Sequence, residues 1–330
     1  MAASAVIVAI LVGGADITSI QQLLEQAQDY HRSGASISIL TAEGRIDGDR
    51  CDRLTGMPGV RASGALRTTT KQLKPVVLPR SPIPVSDASP GFVAVIGAEV
   101  RTPGVLLGPE ASKALGLSGQ GSIPTSETRV RVAATYAYPD DGRRPGFSYA
   151  AIAPTNSAGT FDECWVDTWP AKDMTTALLS TMHVSSDKSK QPAIAQLNPT
   201  RGKSFDGNVL FQQRITRCAG ACTALGGFVL GLVGVRTRRL SLASALHAGV
   251  SRRALLAIVT LEALALVLLS AALIVPIAVL AASTLNGGVS ATLVPGLSAA
   301  VPLWLGAFAG ASLGVTTIKE KHLFRYFKTR

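Results

Sequence analysis

The side chains from which chemistry could be built are few and scattered. Four cysteines fall into two settings: Cys51 and Cys164 lie in stretches of mixed polarity, whereas Cys218 and Cys222 sit four residues apart in an apolar run. Side chains at i and i+4 stack on one helix face without the orientation a bridge needs, and no histidine or carboxylate completes a metal site there. Histidines 31, 183, 247 and 322 stand alone and read as surface residues. There is no HExxH, CxxC or Gly-x-Ser-x-Gly pattern, and no Gly-x-x-x-x-Gly-Lys-Ser/Thr loop to cradle nucleotide phosphates. The residues predict a chain that is not itself an enzyme and holds no metal or cofactor of its own.

One carboxylate is conspicuous by its surroundings. From Ala254 to Ile318 the only ionisable side chain is Glu262, and a carboxylate inside a membrane is costly enough to suggest a substrate or proton site. However, a helix over residues 254–283 would be about 45 Å long at 1.5 Å per residue, longer than the hydrocarbon layer. The favoured reading places Glu262 near the interface, beside Arg252 and Arg253. Pro276, further along, reads as a tolerated kink.

The elements follow from hydropathy. Mean hydropathy is +0.31, unevenly spread, so two solvents are implied. Cys218–Val235, Ala254–Ser283 and Leu293–Ile318 each meet the requirement of a membrane helix for roughly 20 apolar residues. The run Ala2–Ala15 is shorter but continues into an amphipathic helical pattern up to Tyr30. It reads as a first span or as a cleaved signal peptide; the absence of Lys or Arg before it favours the span. Either way residues 32–210 lie outside.

The net charge of +11 is concentrated where topology uses it. Arg236, Arg238, Arg239, Arg252 and Arg253 form one cluster, and Lys319, Lys321, Arg325, Lys328 and Arg330 another. Basic loops stay on the cytoplasmic face. Both clusters then share that face, with the turn Thr284–Thr292 opposite; no aromatic interleaving accompanies the charge, which argues against nucleic acid.

The resulting fold class is an α-helical integral membrane protein with four transmembrane helices and a mixed α+β extracytoplasmic domain inserted between helices 1 and 2. The divisions are 1–31 (first span and stalk), 32–205 (outer domain), 206–235 (stalk and second span), 236–253 (cytoplasmic loop), 254–283 and 293–318 (third and fourth spans), and 319–330 (basic tail). Within the outer domain, strands are predicted over Ser36–Thr41, Val60–Leu66, Phe92–Ile96, Arg129–Ala134, Ser148–Ala153, Cys164–Thr168 and Ala193–Leu197. Helices are predicted over Asp49–Thr55, Pro109–Leu115 and Asp173–Met182, and a loop over Pro75–Pro90. Cys51 and Cys164 share an oxidising compartment, so a disulfide between them is expected, with two buried thiols as the alternative.

Three stretches together resemble the MacB/FtsX-like permeases of mechanotransmission (type VII) ABC transporters. Residues Arg238 to Arg253, with Gly249-Val250-Ser251-Arg252, followed by Leu261-Glu262-Ala263, are similar to that family's basic loop and the start of its third span. Cys51 to Val60, ending Pro58-Gly59-Val60, resembles the entry to its outer domain. Val105 to Ala111, Leu115-Gly116-Leu117 and Arg129 to Ala133 resemble its middle subdomain. The loop departs at Ser241, where many members carry an acid, and at Leu246, where they carry a base. The resemblance implies a cell-membrane, multi-pass permease working as a homodimer or with a related permease. A separate ABC ATPase subunit would bind ATP and Mg, and its cycle would extrude an amphiphilic, peptide or lipid-like substrate. An FtsX-type mechanical regulator of a cell-wall enzyme is the alternative, and a membrane-anchored enzyme or receptor a third.

The loop and the glycines carry the remaining expectations. Leu240, Leu242, Ala245, Leu246 and Gly249 are helically spaced between two arginine clusters. Such a helix either lies on the membrane surface or, as the resemblance implies, docks into the ATPase through Arg239, Leu242, Leu246, Gly249, Ser251 and Arg252. Gly227-x-x-x-Gly231 and Gly306-x-x-x-Gly310-x-x-x-Gly314 let helices approach closely, within one subunit or between two.

Overall fold

The computed structural model describes residues 2–126, 128–184, 191–284 and 289–318. The basic tail 319–330, with His322, and part of the turn Thr284–Thr292 lie outside the described residues. The chain forms two compact units, Gln26–Asp206 and a second made of Met1–Glu25 with Gly207–Arg330.

Elements run in the order α1 (Ala2–Arg32), β1 (Ile37–Asp47), α2 (Gly48–Arg53), β2 (Val60–Leu73), β3 (Ile83–Ala88), α3 (Phe92–Val95), β4 (Val105–Leu107), α4 (Pro109–Ala114), β5 (Gly121–Pro124), β6 (Arg129–Thr135), β7 (Ala151–Pro154), β8 (Thr160–Thr168), α5 (Thr175–Leu179) and β9 (Ala193–Gln196). There follow α6 (Gly207–Gln212), α7 (Ala219–Thr237), α8 (Arg239–His247), α9 (Arg252–Thr284) and α10 (Val289–Thr317).

In the unit Gln26–Asp206 the strands form one sheet in the order β5-β6-β4-β7-β3-β2-β8-β1-β9. Pairing is antiparallel except for β3 with β7 and β4 with β6. The terminal strands β1, β2, β8 and β9 make one end of the sheet, and the middle of the sequence supplies the other. Phe92 and Trp165 meet edge to face at 5.1 Å in the core; both are almost fully buried. Below them Glu163, itself buried, accepts from Arg144 Nη1 at 2.7 Å and Trp165 Nε1 at 2.8 Å. Its charge is thus paired, as burial demands.

Two local expectations are corrected. Phe92–Ile96 is not a strand, because α3 takes Phe92–Val95. A short apolar run cannot be told from a buried helical turn by periodicity alone; here Pro90-Gly91 precedes it and Gly97, at φ 68°, ends it. Pro75–Pro90 is not all loop, because β3 occupies Ile83–Ala88. Pro84, which has no N–H to give, is exposed and sits opposite Gln72 of β2; pairing with β7 begins only at Val85. The short strands β4 and β5 were not foreseen.

Candidate functional site

Among the described residues, two helices are long and apolar enough to cross a membrane, Ile215–Thr237 and Ala300–Thr317. They pack on each other through the glycine stripes. A Cβ on Gly227 would lie 2.0 Å from the Leu303 carbonyl oxygen, and one on Gly231 2.1 Å from that of Ala307. Reciprocally, a Cβ on Gly306 would lie 2.0 Å from the Ala224 carbonyl oxygen and one on Gly310 2.0 Å from that of Phe228; one on Gly314 would meet Val235. The stripes are therefore spent on contact within one chain, where missing side chains let backbones touch. The sequence signal missed was the matching small residues opposite, Ala224, Ala307 and Ala311.

Partners rise together along both helices, Gly227 with Leu303 and Gly231 with Ala307, so α7 and α10 run in the same direction. Their last turns meet accordingly. Val235, Ala243, Leu255, Ala311, Val315 and Ile318 form one buried cluster, which places the loop 236–253 and the end of α10 at the same end of this unit.

The loop itself is a helix with defined ends. Gly249, at φ 86°, follows α8. Its N–H donates to the Leu246 carbonyl at 3.1 Å, and that of Val250 to the Ala245 carbonyl at 3.0 Å. These two hydrogen bonds form the Schellman closure, which needs a left-handed residue that glycine supplies without strain. Val250, like Ala245 and Leu246, packs against the buried cluster. Two residues on, Ser251 Oγ accepts from the Ala254 N–H at 3.2 Å and so caps α9. The Gly-x-Ser-Arg spacing is thus the end of one helix and the start of the next.

The six loop residues singled out from the sequence divide. Leu242 and Leu246 turn inward and pack on the buried cluster, whereas Gly249, Ser251 and Arg252 are exposed and Arg239 is half-buried. The outward face also presents Ser241, Ser244, His247 and Ala248, which sequence reasoning did not assign. Glu262 is not held by Arg252 or Arg253: Arg238 Nη1 donates to its Oε2 at 2.7 Å.

In the unit Gln26–Asp206, which corresponds to the outer domain expected from the sequence and is called the outer unit below, Cys51 of α2 and Cys164 of β8 are joined by a disulfide with Cα atoms 5.8 Å apart. Beside it, Asp52 accepts from Ser89 Oγ at 2.5 Å, and burial raises its carboxyl above the usual range. Cys218 and Cys222 are free and exposed. No group of three or more metal-ligating side chains occurs among the described residues.

The two chain crossings of the outer unit are fastened together. At the end of α1, the Gln196 amide donates to Tyr30 Oη at 2.9 Å and to the Ala35 carbonyl. Asn198, fully buried, donates to the carbonyls of Ser33 at 3.0 Å and Asp141 at 3.1 Å. Arg143 Nη2 reaches the Arg32 carbonyl. The segment entering the sheet and the segment leaving it are thereby bonded to each other.

Solved structures similar to this chain include the periplasmic region of MacB from Actinobacillus actinomycetemcomitans, at 12% identity and TM-score 0.34 over 52% of this chain and 94% of that one. A domain of a permease protein from Porphyromonas gingivalis matches at 10% identity and TM-score 0.32, over 50% and 92%. The extracellular domain of the noncanonic ABC-type transporter YknZ from Gram-positive bacteria matches at 12% and 0.29, over 43% and 88%. No family model and no curated protein matches the chain.

Proposed function

We propose that this chain is the permease subunit of a MacB/FtsX-like ABC system, crossing the cell membrane four times and working as a dimer with a separate ATPase. The observation that carries the reading is the capped helix α8. It is set between two arginine clusters on the end of the unit shared by α7, α9 and α10, with a polar face turned outward. An ATPase seated on that face moves the ends of α7 and α9 together, because Arg238 and Glu262 tie them. The bonds of Gln196, Asn198 and Arg143 make the outer sheet respond as one body to displacement of α1 or of the returning chain. The work done is extrusion of an amphiphilic, peptide or lipid-like molecule. ATP and Mg belong to the partner subunit.

The test is co-expression with any ABC ATPase encoded by a neighbouring gene, reconstitution of both in lipid nanodiscs, and assay of hydrolysis. The expected result is a stable complex whose ATPase rate rises above that of the ATPase alone. Robust hydrolysis by this chain alone, or failure of every neighbouring ATPase to bind, would overturn the reading. A complex that hydrolyses ATP and activates a secreted cell-wall hydrolase, with no amphiphile moved, would instead select the mechanical regulator.

A further inference from the structure

The segment that leads into Ile215–Thr237 is built inside out. Phe211 is 48% exposed and Ile215 100% exposed, while between them the charged side chain of Arg214 is only 10% exposed. Its Nη1 stands 3.4 Å from Oδ1 of Asp16 on α1, whose side chain is 8% exposed. Arg214 Nε also donates to the Phe211 carbonyl at 2.9 Å, and its guanidinium lies over the Phe211 ring, 3.6 Å from the centroid. The pair with Asp16 is close but off-angle, since neither atom completes a hydrogen bond within the chain.

In water this arrangement is unfavourable twice over, because it exposes apolar surface and strips two charges of their hydration. At the headgroup–acyl boundary both objections lapse. Hydrocarbon accepts Phe211 and Ile215, and a charge is better paired than presented to lipid. Gln212, Gln213 and Arg217 are exposed in the same segment, side chains suited to the phosphate layer. The segment is continuous with an apolar helix, which fixes lipid rather than a protein groove as its neighbour.

We infer that residues 207–217 form a membrane-surface foot. Phe211 and Ile215 enter the outer leaflet, and Arg214, turned to Asp16, holds α1 at the same depth. The inference rests on the membrane reading above and goes beyond it, because the sequence predicts a stalk over this segment.

Nitroxide labels test it on the full chain in vesicles of phosphatidylcholine and phosphatidylglycerol. In a Cys218→Ser, Cys222→Ser background, labels are placed by Phe211→Cys and Ile215→Cys. Leu225→Cys serves as a reference within the span and Met57→Cys as one in the outer unit, and collision with oxygen is compared with collision with a water-soluble nickel chelate. The expected oxygen-to-nickel ratio at 211 and 215 is several-fold above that at 57 and close to that at 225. Ratios like that at 57, with 225 lipid-like, overturn the foot alone. Shielding of 211 and 215 from both reagents means a protein covers them, and also overturns it. A water-like 225 would remove the membrane reading and the foot together.

Discussion

Arg238 Nη1 and Glu262 Oε2 meet at 2.7 Å, so the one carboxylate of the apolar stretch 254–318 belongs to the turn between α7 and α8. Both side chains are about half exposed. The pair therefore acts as a tether between α7 and α9 more than as a source of stability, since exposed ion pairs are worth about 0–1 kcal/mol.

Glu262→Gln should lower unfolding stability in detergent by about 1 kcal/mol or less while reducing stimulation of the partner ATPase several-fold. The exchange Arg238→Glu with Glu262→Arg should recover a good part of that stimulation. A Glu262→Gln variant with full coupling would remove the tether from the mechanism.

The glycine contacts give a sharper contrast. Gly231→Ala and Gly310→Ala each place a methyl about 2 Å from a carbonyl oxygen of the facing helix, so the helices must part; a cost of about 1–3 kcal/mol per site is expected. Gly226→Ala, on the same helix, meets nothing within 4 Å and should be neutral or slightly stabilising. Thermal unfolding in detergent measures all three. Equal effects at 226 and 231 would mean that α7 and α10 do not pack through this stripe.

The bridge between Cys51 and Cys164 spans 113 residues. Replacing both by alanine should cost the outer unit about 2–5 kcal/mol, read as an earlier loss of near-ultraviolet dichroism from the buried Trp165 on heating. An unchanged midpoint would show that the bridge does not form in solution.

Legibility followed the range of the signal. Hydropathy over twenty-residue windows marked α7, α9 and α10, and the spacing of Leu240, Leu242, Ala245 and Leu246 marked α8, because each is written in neighbouring residues; Gly249, read as part of that spacing, instead lies past the helix end at φ 86°. Pairings between distant positions were harder. Arg238 and Glu262 are separated by the whole of α8 and a turn of chain, and Arg252 lay nearer in sequence. Asn198 could not be singled out at all: its value comes from reaching Ser33 and Asp141, which only the closed sheet brings within bonding distance. Phe92–Val95 was misread because four apolar residues are too short a run to set a period; one turn buries Phe92 and Val95 and leaves Ala94 exposed.

Tyr136 and Tyr138 supply a pH-dependent test of the outer unit. Burial pushes Tyr138 up to about 12 and raises Tyr136 as well; their hydroxyls donate to the carbonyls of Arg144 and Phe147. A raised phenol pKa means that the folded state keeps its proton after the unfolded chain has lost it. Their stabilising contribution is therefore complete below about pH 10 and declines as pH rises from there towards 12. Titration by tyrosinate absorbance should show a lag in the native protein that disappears in denaturant. Tyr138→Phe should lose stability at neutral pH and show a shallower alkaline decline. Coincident native and denatured curves would mean that the phenols are not held in the core.

The outward and inward faces of α8 separate coupling from folding. Leu242 packs on the cluster of Val235, Leu255 and Val315, so Leu242→Asp places a charge against apolar side chains and should lower the thermal midpoint as well as any co-purification with an ATPase. Loss of the complex in that variant is therefore ambiguous by itself. Ser244 resolves it, because it is exposed and its hydroxyl donates back to the Ser241 carbonyl within the helix. Ser244→Trp should leave unfolding stability within about 0.5 kcal/mol of wild type, as surface substitutions do, yet block a partner that must seat against that face. Co-purification and ATPase stimulation should fall together in Ser244→Trp, with the outer unit and the midpoint unchanged. Should Ser244→Trp bind and stimulate normally, α8 does not present this face to an ATPase, and its arginines are left to the lipid surface.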